Sequence, residues 1–376
     1  MIDTVILSVP RDKVITLDET ARGVAPWDLH ERTQSYSVYV KNPSSKDKAT
    51  GLSFPRLTGW RRRNYGGIGG WTSVLKIEFS VAKLLYKNNV DELEDGQFAL
   101  VVDTLLDRLD RMGVRIQRQD IELAEVRAVH YAKNIELTSG YTSLYALGEL
   151  GKVNITKRLD MTKTRFVNDG ESLCFYAKSH SVVLYDKIAD LRKNQKRAVD
   201  LEQTAYQMSL FPSLNNVREI LRLEVRLSEK RKMSSVFQKL GIPENPTFKD
   251  VFCAKKSQMV VRHYWDTMIE GNSLLLFSHS LTAKDLLKQI LIARPDAKAT
   301  KPIYLAGLVL LAREGNGLRE LRTILAKRSN DRLWYRLRTD LADTTAGLDR
   351  LRPREWYDQV KGALESYQPV HLHCKE

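Results

Sequence analysis

A chain of 376 residues, 43% hydrophobic and 28% charged, has the composition of a folded globular protein with room for two domains, which excludes general disorder. No apolar run approaches the roughly 20 residues of a membrane span, and the cysteines (Cys174, Cys253, Cys374) are too far apart for a disulfide framework or a zinc knuckle. The net charge of +14 points to a polyanion, with nucleic acid first and a merely basic surface as the plainer alternative.

The opening MIDTVILSVP carries an acid at position 3 and no small-residue cleavage site, so it reads as a first strand rather than a signal peptide. With reduced cysteines, it sets the expectation of a cytoplasmic protein without a membrane partner. Strand alternation follows in SYSVYV, SVLKIEFS, the stretch around RIQRQDIEL, ESLCFYA, HSVVLY and EILRLEVRLS. Helical stretches lie between them: VAKLLYKNN, GQFALVVDTLLDRLDRMG with Gly113 as its stop, and KIADLRKNQKRAVDLEQTAYQMS. The expected class is therefore α+β, an antiparallel or mixed sheet flanked by helices. Past the turn-rich IPENP (242–246) nearly everything reads as helix and is more basic per residue. Two domains are expected, a sheet domain over 1–235 and a helical one over 245–376.

Residues two apart share a strand face. In SVLKIEFS, Leu75, Ile77 and Phe79 oppose Lys76, Glu78 and Ser80. In RQDIEL, Ile121 and Leu123 oppose Arg118, Asp120 and Glu122. In LRLEVRL, the leucines and Val225 oppose Arg222, Glu224 and Arg226, and in SVVLYDK, Val182 and Leu184 oppose Val183, Tyr185 and Lys187. One reading is an antiparallel sheet with a solvated face of cross-strand ion pairs. The other joins the polar faces into a metal site beside a nucleophile. Carboxylates would hold Mg²⁺ or Mn²⁺ through oxygen, the ion would polarise a DNA phosphate, and Tyr185 would attack the phosphorus. The Lys187 charge would favour phenolate.

These segments resemble the gene II replication proteins of filamentous phages and, more distantly, the initiators of small rolling-circle plasmids. The likeness runs from MID through TGLSFPRL, KIEFSVAKLLYKNN, RQDIEL, SVVLYDK and LRLEVRL, over about residues 1 to 230. The resemblance implies a site-specific endonuclease and strand transferase, at work in a bacterial host. It would nick one strand of double-stranded origin DNA, stay joined to the 5′ end through tyrosine, and reseal the displaced single strand. It implies Tyr185 as the nucleophile with Lys187 beside it, and Glu78, Asp120 and Glu224 as metal ligands, Glu122 being an alternative to Glu78. Arg118, Arg222 and Arg226 would support the carboxylates or touch the phosphate.

Other features compete or add. Tyr141 and Tyr145 form a Tyr-x3-Tyr pair on a helix, read here as a core stripe. The His-x-His of HLH (371–373) follows every nuclease strand, and His180 reads as structural. NYGGIGGW lacks the Lys-Ser/Thr of a phosphate loop, so a host helicase and the host replication machinery are expected partners. In WRRRNY, Arg61, Arg62 and Arg63 interleave with aromatics, suiting phosphates and unpaired bases or a solvated loop. Toward the C-terminus, KPIYLAGLVLLAREG, GLRELRTILAKR and SNDRLWYRLRTDLA read as helices in a helix-turn-helix-like array capped at Ser329 or Asn330. Arg332, Trp334, Tyr335, Arg336 and Arg338 would then read DNA; the alternative is a bundle with a basic outer face. A homodimer is left open. Two other functions stay in view: a DNA-binding regulator without catalysis, and a metal-only endonuclease with Tyr185 a bystander.

Overall fold

The computed structural model describes residues 1–17, 36–43, 51–63, 70–152, 165–167, 172–192, 218–270, 282–315, 317–325, 331–346 and 354–371. The first part holds β1 (Ile2–Pro10), β2 (Val14–Leu17), β3 (Tyr36–Lys41), β4 (Arg56–Arg63) and β5 (Trp71–Ser80). Next come α1 (Val81–Tyr86), α2 (Phe98–Arg111), β6 (Val114–Ile116), α3 (Arg118–Glu122), β7 (Glu125–Leu137) and α4 (Ser143–Gly151). The strands β8 (Arg165–Val167), β9 (Ser172–Tyr176) and β10 (His180–Asp186) lead to α5 (Lys187–Arg192) and β11 (Glu219–Leu227). Helices then follow: α6 (Lys230–Lys239), α7 (Phe248–Val251), α8 (Ala254–Trp265), α9 (Ala283–Ala293), α10 (Thr300–Arg313), α11 (Gly317–Leu325), α12 (Asp331–Ala346) and α13 (Glu355–Ser366).

The fold is α+β, as the alternation of the early strands implied. Among the described residues nine strands pair in the order β3-β4-β5-β1-β7-β11-β10-β9-β8, each pairing antiparallel. The odd residues of β1 and β5 (Val5, Leu7, Val9; Leu75, Ile77, Phe79) share a core with Val101, Val102, Leu105 and Leu109 of α2 and Val260 and Val261 of α8. Helices therefore cover the apolar face, and the sheet's other face carries the polar side chains. Each fully buried leucine or valine in this layer contributes about 1.5–3 kcal/mol.

Sequence and structure part over RQDIEL. Gln117 is extended, and Arg118–Glu122 is a helical turn (α3) closed by an Arg118–Glu122 ion pair of 2.7 Å, one turn apart. The strand lies one step later, as β7. Its residues 126, 128, 129 and 131–135 are all buried, so it shows no polar–apolar alternation. The two sides of residues 235–245 share one core, because α8 and α13 pack directly on β7. Beyond them, α9, α11 and α12 pack on α10. The expected continuation of α5 toward residue 209, the glycines of NYGGIGGW before Gly70 and the cap at Ser329 or Asn330 lie outside the described residues. No helix among the described residues is long and apolar enough to cross a membrane.

Candidate metal centre and nucleophile

The polar face converges where β1, β7, β11 and β10 lie side by side. In register, Asn134, Arg222 and Tyr185 form one row, and Ala132, Glu224 and Val183 the next. His130 lies opposite Thr4 on one side and Arg226 on the other. Asp3 joins them through an irregularity. Ile2 pairs with Tyr131 and Thr4 with His130, so one extra residue of β1 is squeezed between adjacent residues of β7. That bulge re-aims Asp3 from the apolar face to the polar one.

Ligand atoms of Asp3, His130 and Glu224 lie within 4.8 Å of one another, a spacing fit for one metal ion. Each is held by a neighbour. The Arg222 guanidinium donates to Asp3 Oδ1 at 2.5 Å and to Asn134 Oδ1 at 3.1 Å, and it also reaches the Asn89 carbonyl at 2.8 Å. Arg226 donates to Glu224 Oε1 at 2.7 Å, while His130 Nδ1 is 3.7 Å from the same oxygen. Burial pushes the Asp3 carboxyl up more than any single neighbour lowers it, but the Arg222, Lys187, His130 and Lys83 charges together outweigh it and hold the group at about 2. Burial also lowers His130 below the usual histidine range in spite of the Glu224 charge. A neutral imidazole is the form that binds metal. Two carboxylates and one nitrogen suit Mn²⁺ as well as Mg²⁺, the nitrogen favouring the former.

Tyr185 stands at the edge of this cluster. Its hydroxyl donates to Glu224 Oε2 at 3.3 Å, and the residue is 8% exposed. Burial raises its pKa well above the usual phenol range, with Arg222 pulling the other way. Lys187, expected to favour phenolate, does not share the strand face of Tyr185. The strand ends at Asp186, so Lys187 opens α5 instead of continuing the alternation. There it is fully buried, bonds Asp190 at 3.1 Å, and sets its ammonium 5.5 Å from the centre of the Tyr185 ring rather than at the hydroxyl. Arg222 is the cation that lowers the Tyr185 pKa most.

Of the other expected ligands, Glu224 is central. Asp120 and Glu122 are not on the sheet. Asp120 pairs with Lys13 at 3.6 Å on α3, and Arg118 pairs with Asp103 of α2 and with Glu122, all in the helical layer. Glu78 is on the polar face opposite Ile6 and Arg56, near enough to raise His130's proton affinity but outside the three-residue cluster. The residues missed were Asp3 and His130. His130 lies in EVRAVHYAKNIEL, whose mixed polar and apolar residues marked no face, and Asp3 had no signal, since its place depends on the bulge.

The remaining candidates sort by burial. His180 is buried with its ring 5.6 Å from that of Tyr264, a packing role as expected. Tyr141 precedes the Thr142 cap of α4, so it does not sit one turn from Tyr145 on a helix as expected; the two rings are 5.8 Å apart. His371 lies 3.3 Å from Glu94, while His373 is outside the described residues. On α12, Arg332, Tyr335 and Arg336 are exposed, but Trp334 is 6% exposed with Arg322 over its ring, so it is core rather than a reader of bases. Arg338 lies on α12, and Arg61, Arg62 and Arg63 end β4 in register with Ser73, Thr72 and Trp71. Comparison with known proteins gave no match, neither to a family model, nor to a curated protein, nor to a solved structure.

Proposed function

We propose that this chain is a metal-dependent DNA-nicking and strand-transfer enzyme of the rolling-circle kind, with Tyr185 as nucleophile and Asp3, His130 and Glu224 as metal ligands. One observation carries the reading: the Tyr185 hydroxyl donates to Glu224, the carboxylate that also faces His130 and lies with Asp3 in one cluster. A bound divalent cation would draw charge from the phosphate under attack. Arg222 fixes Asp3 and lies close enough to offset charge on the phenol oxygen. Glu224 takes the phenol proton as the tyrosine oxygen bonds to phosphorus, because the buried phenol carries that proton at neutral pH. The phosphorus–O3′ bond breaks and the departing oxygen takes up a proton from solvent water, leaving a free 3′ hydroxyl and a 5′ phosphotyrosine. The reverse attack by a 3′ hydroxyl reseals a strand without a nucleotide cofactor. Duplex origin DNA would have to be opened by a separate helicase.

The test is a denaturing gel of protein incubated with labelled origin DNA and Mn²⁺. Wild type should carry label and Tyr185→Phe should not. The burial of Tyr185 favours one rival, a metal-only nuclease that activates water. Cutting without label in either lane would establish that rival, and no cutting of a competent origin would leave a DNA-binding regulator.

A further inference from the structure

The polar face does not stop at the metal cluster. Along β7, three residues before His130 and so about 10 Å away, Arg127 sits where the β1–β7 register shifts again. Lys76 on β5 pairs with Ser8 of β1 and with Thr58 of β4, and Trp60 follows Thr58 on the same face. Arg56 lies opposite Glu78 at the row nearer the cluster. These cations are less fully paired than those around Glu224. The Lys76 ammonium is 4.0 Å from the centre of the Trp60 ring, and no carboxylate pairs with it among the described residues. The Nε atoms of Arg56 and Arg127 are buried without a hydrogen-bond partner among the described residues. Arg127 has one contact, at 3.3 Å to Glu125, and Glu125 is also paired with Lys230.

An aromatic ring fixes a cation without neutralising it by a full negative charge. Partial burial and the neighbouring Arg127 charge both lower the Lys76 pKa, so an approaching anion relieves both costs. We propose that Arg56, Lys76 and Arg127 form a binding track for the phosphate backbone of one unpaired nucleic-acid strand, which runs over β5, β1 and β7 to the metal cluster. Trp60 positions the Lys76 charge. A single strand is the form that fits: the Tyr185 hydroxyl is deep in the face, where a flexible strand can descend and a rigid duplex cannot. This deepens the nicking reading by naming the substrate form and its path, and it rests on that reading for its direction toward Tyr185.

The experiment measures anisotropy of a short fluorescein-labelled oligothymidylate, in EDTA so that binding is read without cutting. Lys76→Gln and Arg127→Gln should each weaken binding about tenfold and make its salt dependence shallower by about 0.7 in log–log slope, one phosphate contact each. Lys76→Arg should restore most of the affinity, and Arg115→Gln, a charge lost beside Asp110 in the helical layer, should change nothing. Circular dichroism melts of each variant check folding, and the arginine rescue stands if the glutamine variant melts early. Wild-type affinity and salt slope in both glutamine variants would overturn the track, as would tighter wild-type binding to duplex of equal length. The gel for Tyr185 is separate: loss of labelled protein there with these binding losses intact would sink the nicking mechanism and leave the track.

Discussion

The sheet's polar face and the helical α9–α12 region are both rich in charge, yet they hold it differently. Around Glu224 the charges are gripped and mostly buried: Arg222 is 3% exposed and makes bonds to Asp3, Asn134 and the Asn89 carbonyl. On α12 the arginines 332 and 336 are exposed, and on α9 Lys288 keeps a loose 3.6 Å contact to Asp285. Buried charges are costly to leave unpaired, so the first arrangement is rigid and pre-aimed, as chemistry requires. Exposed charges cost little and adapt, as contact with a phosphate backbone allows.

That contrast can be broken or sharpened. The largest effect should come from Glu224→Gln, which removes a ligand and the proton acceptor: labelled protein should fall at least about a hundredfold on the denaturing gel, comparable to removal of a general base. Next, Arg222→Leu should cost about 3–5 kcal/mol in urea unfolding, because Asp3 is left charged and buried. Its pH dependence carries the same message. Asp3 is lowered from 3.8 to about 2 in the fold, so its stabilisation is complete above the unfolded value and is lost as pH falls through about 2. In Arg222→Leu, without the partner charge, the stability lost below pH 4 should shrink or change sign.

A similar loss of about 3–5 kcal/mol is expected for Trp334→Ala, the price of a cavity under α12; a stable variant with weakened DNA binding would return Trp334 to the interface. The smallest change belongs to Arg336→Ala, within about 0.5 kcal/mol of wild type in a thermal melt. A large shift there would mean the two regions do not differ as described.

How far the sequence exposed this arrangement depended on periodicity. Strands buried on one face, β1 and β5, display the alternation, and with it the placement of Glu78 on the polar face. Glu224 and Tyr185 were legible by the same rule, although both of their strands are buried nearly throughout. The rule failed where its premise failed. Central β7 is covered on both sides, so its buried polar and apolar residues fall on both faces and marked none for His130. The short RQDIEL segment mimicked a period of two, although its Arg118 and Glu122 pair across a helical turn. Asp3 was beyond reach, since a period of two assigns it to the core with Val5 and Leu7, and only the bulge turns it outward. Lys187 failed at the boundary, one residue past the last strand position.

The three donors come from positions 3, 130 and 224, on strands that become neighbours only when β7 slots between β1 and β11. Such pairings close long loops of chain and give the protein a high contact order, so they form slowly and late. During synthesis the ribosome must therefore deliver β11 before the centre exists at all. A half-made chain carries Tyr185 of β10 without the Glu224 and Arg222 that face it in the fold, so on the proposed reading the nucleophile is made before the activity can exist.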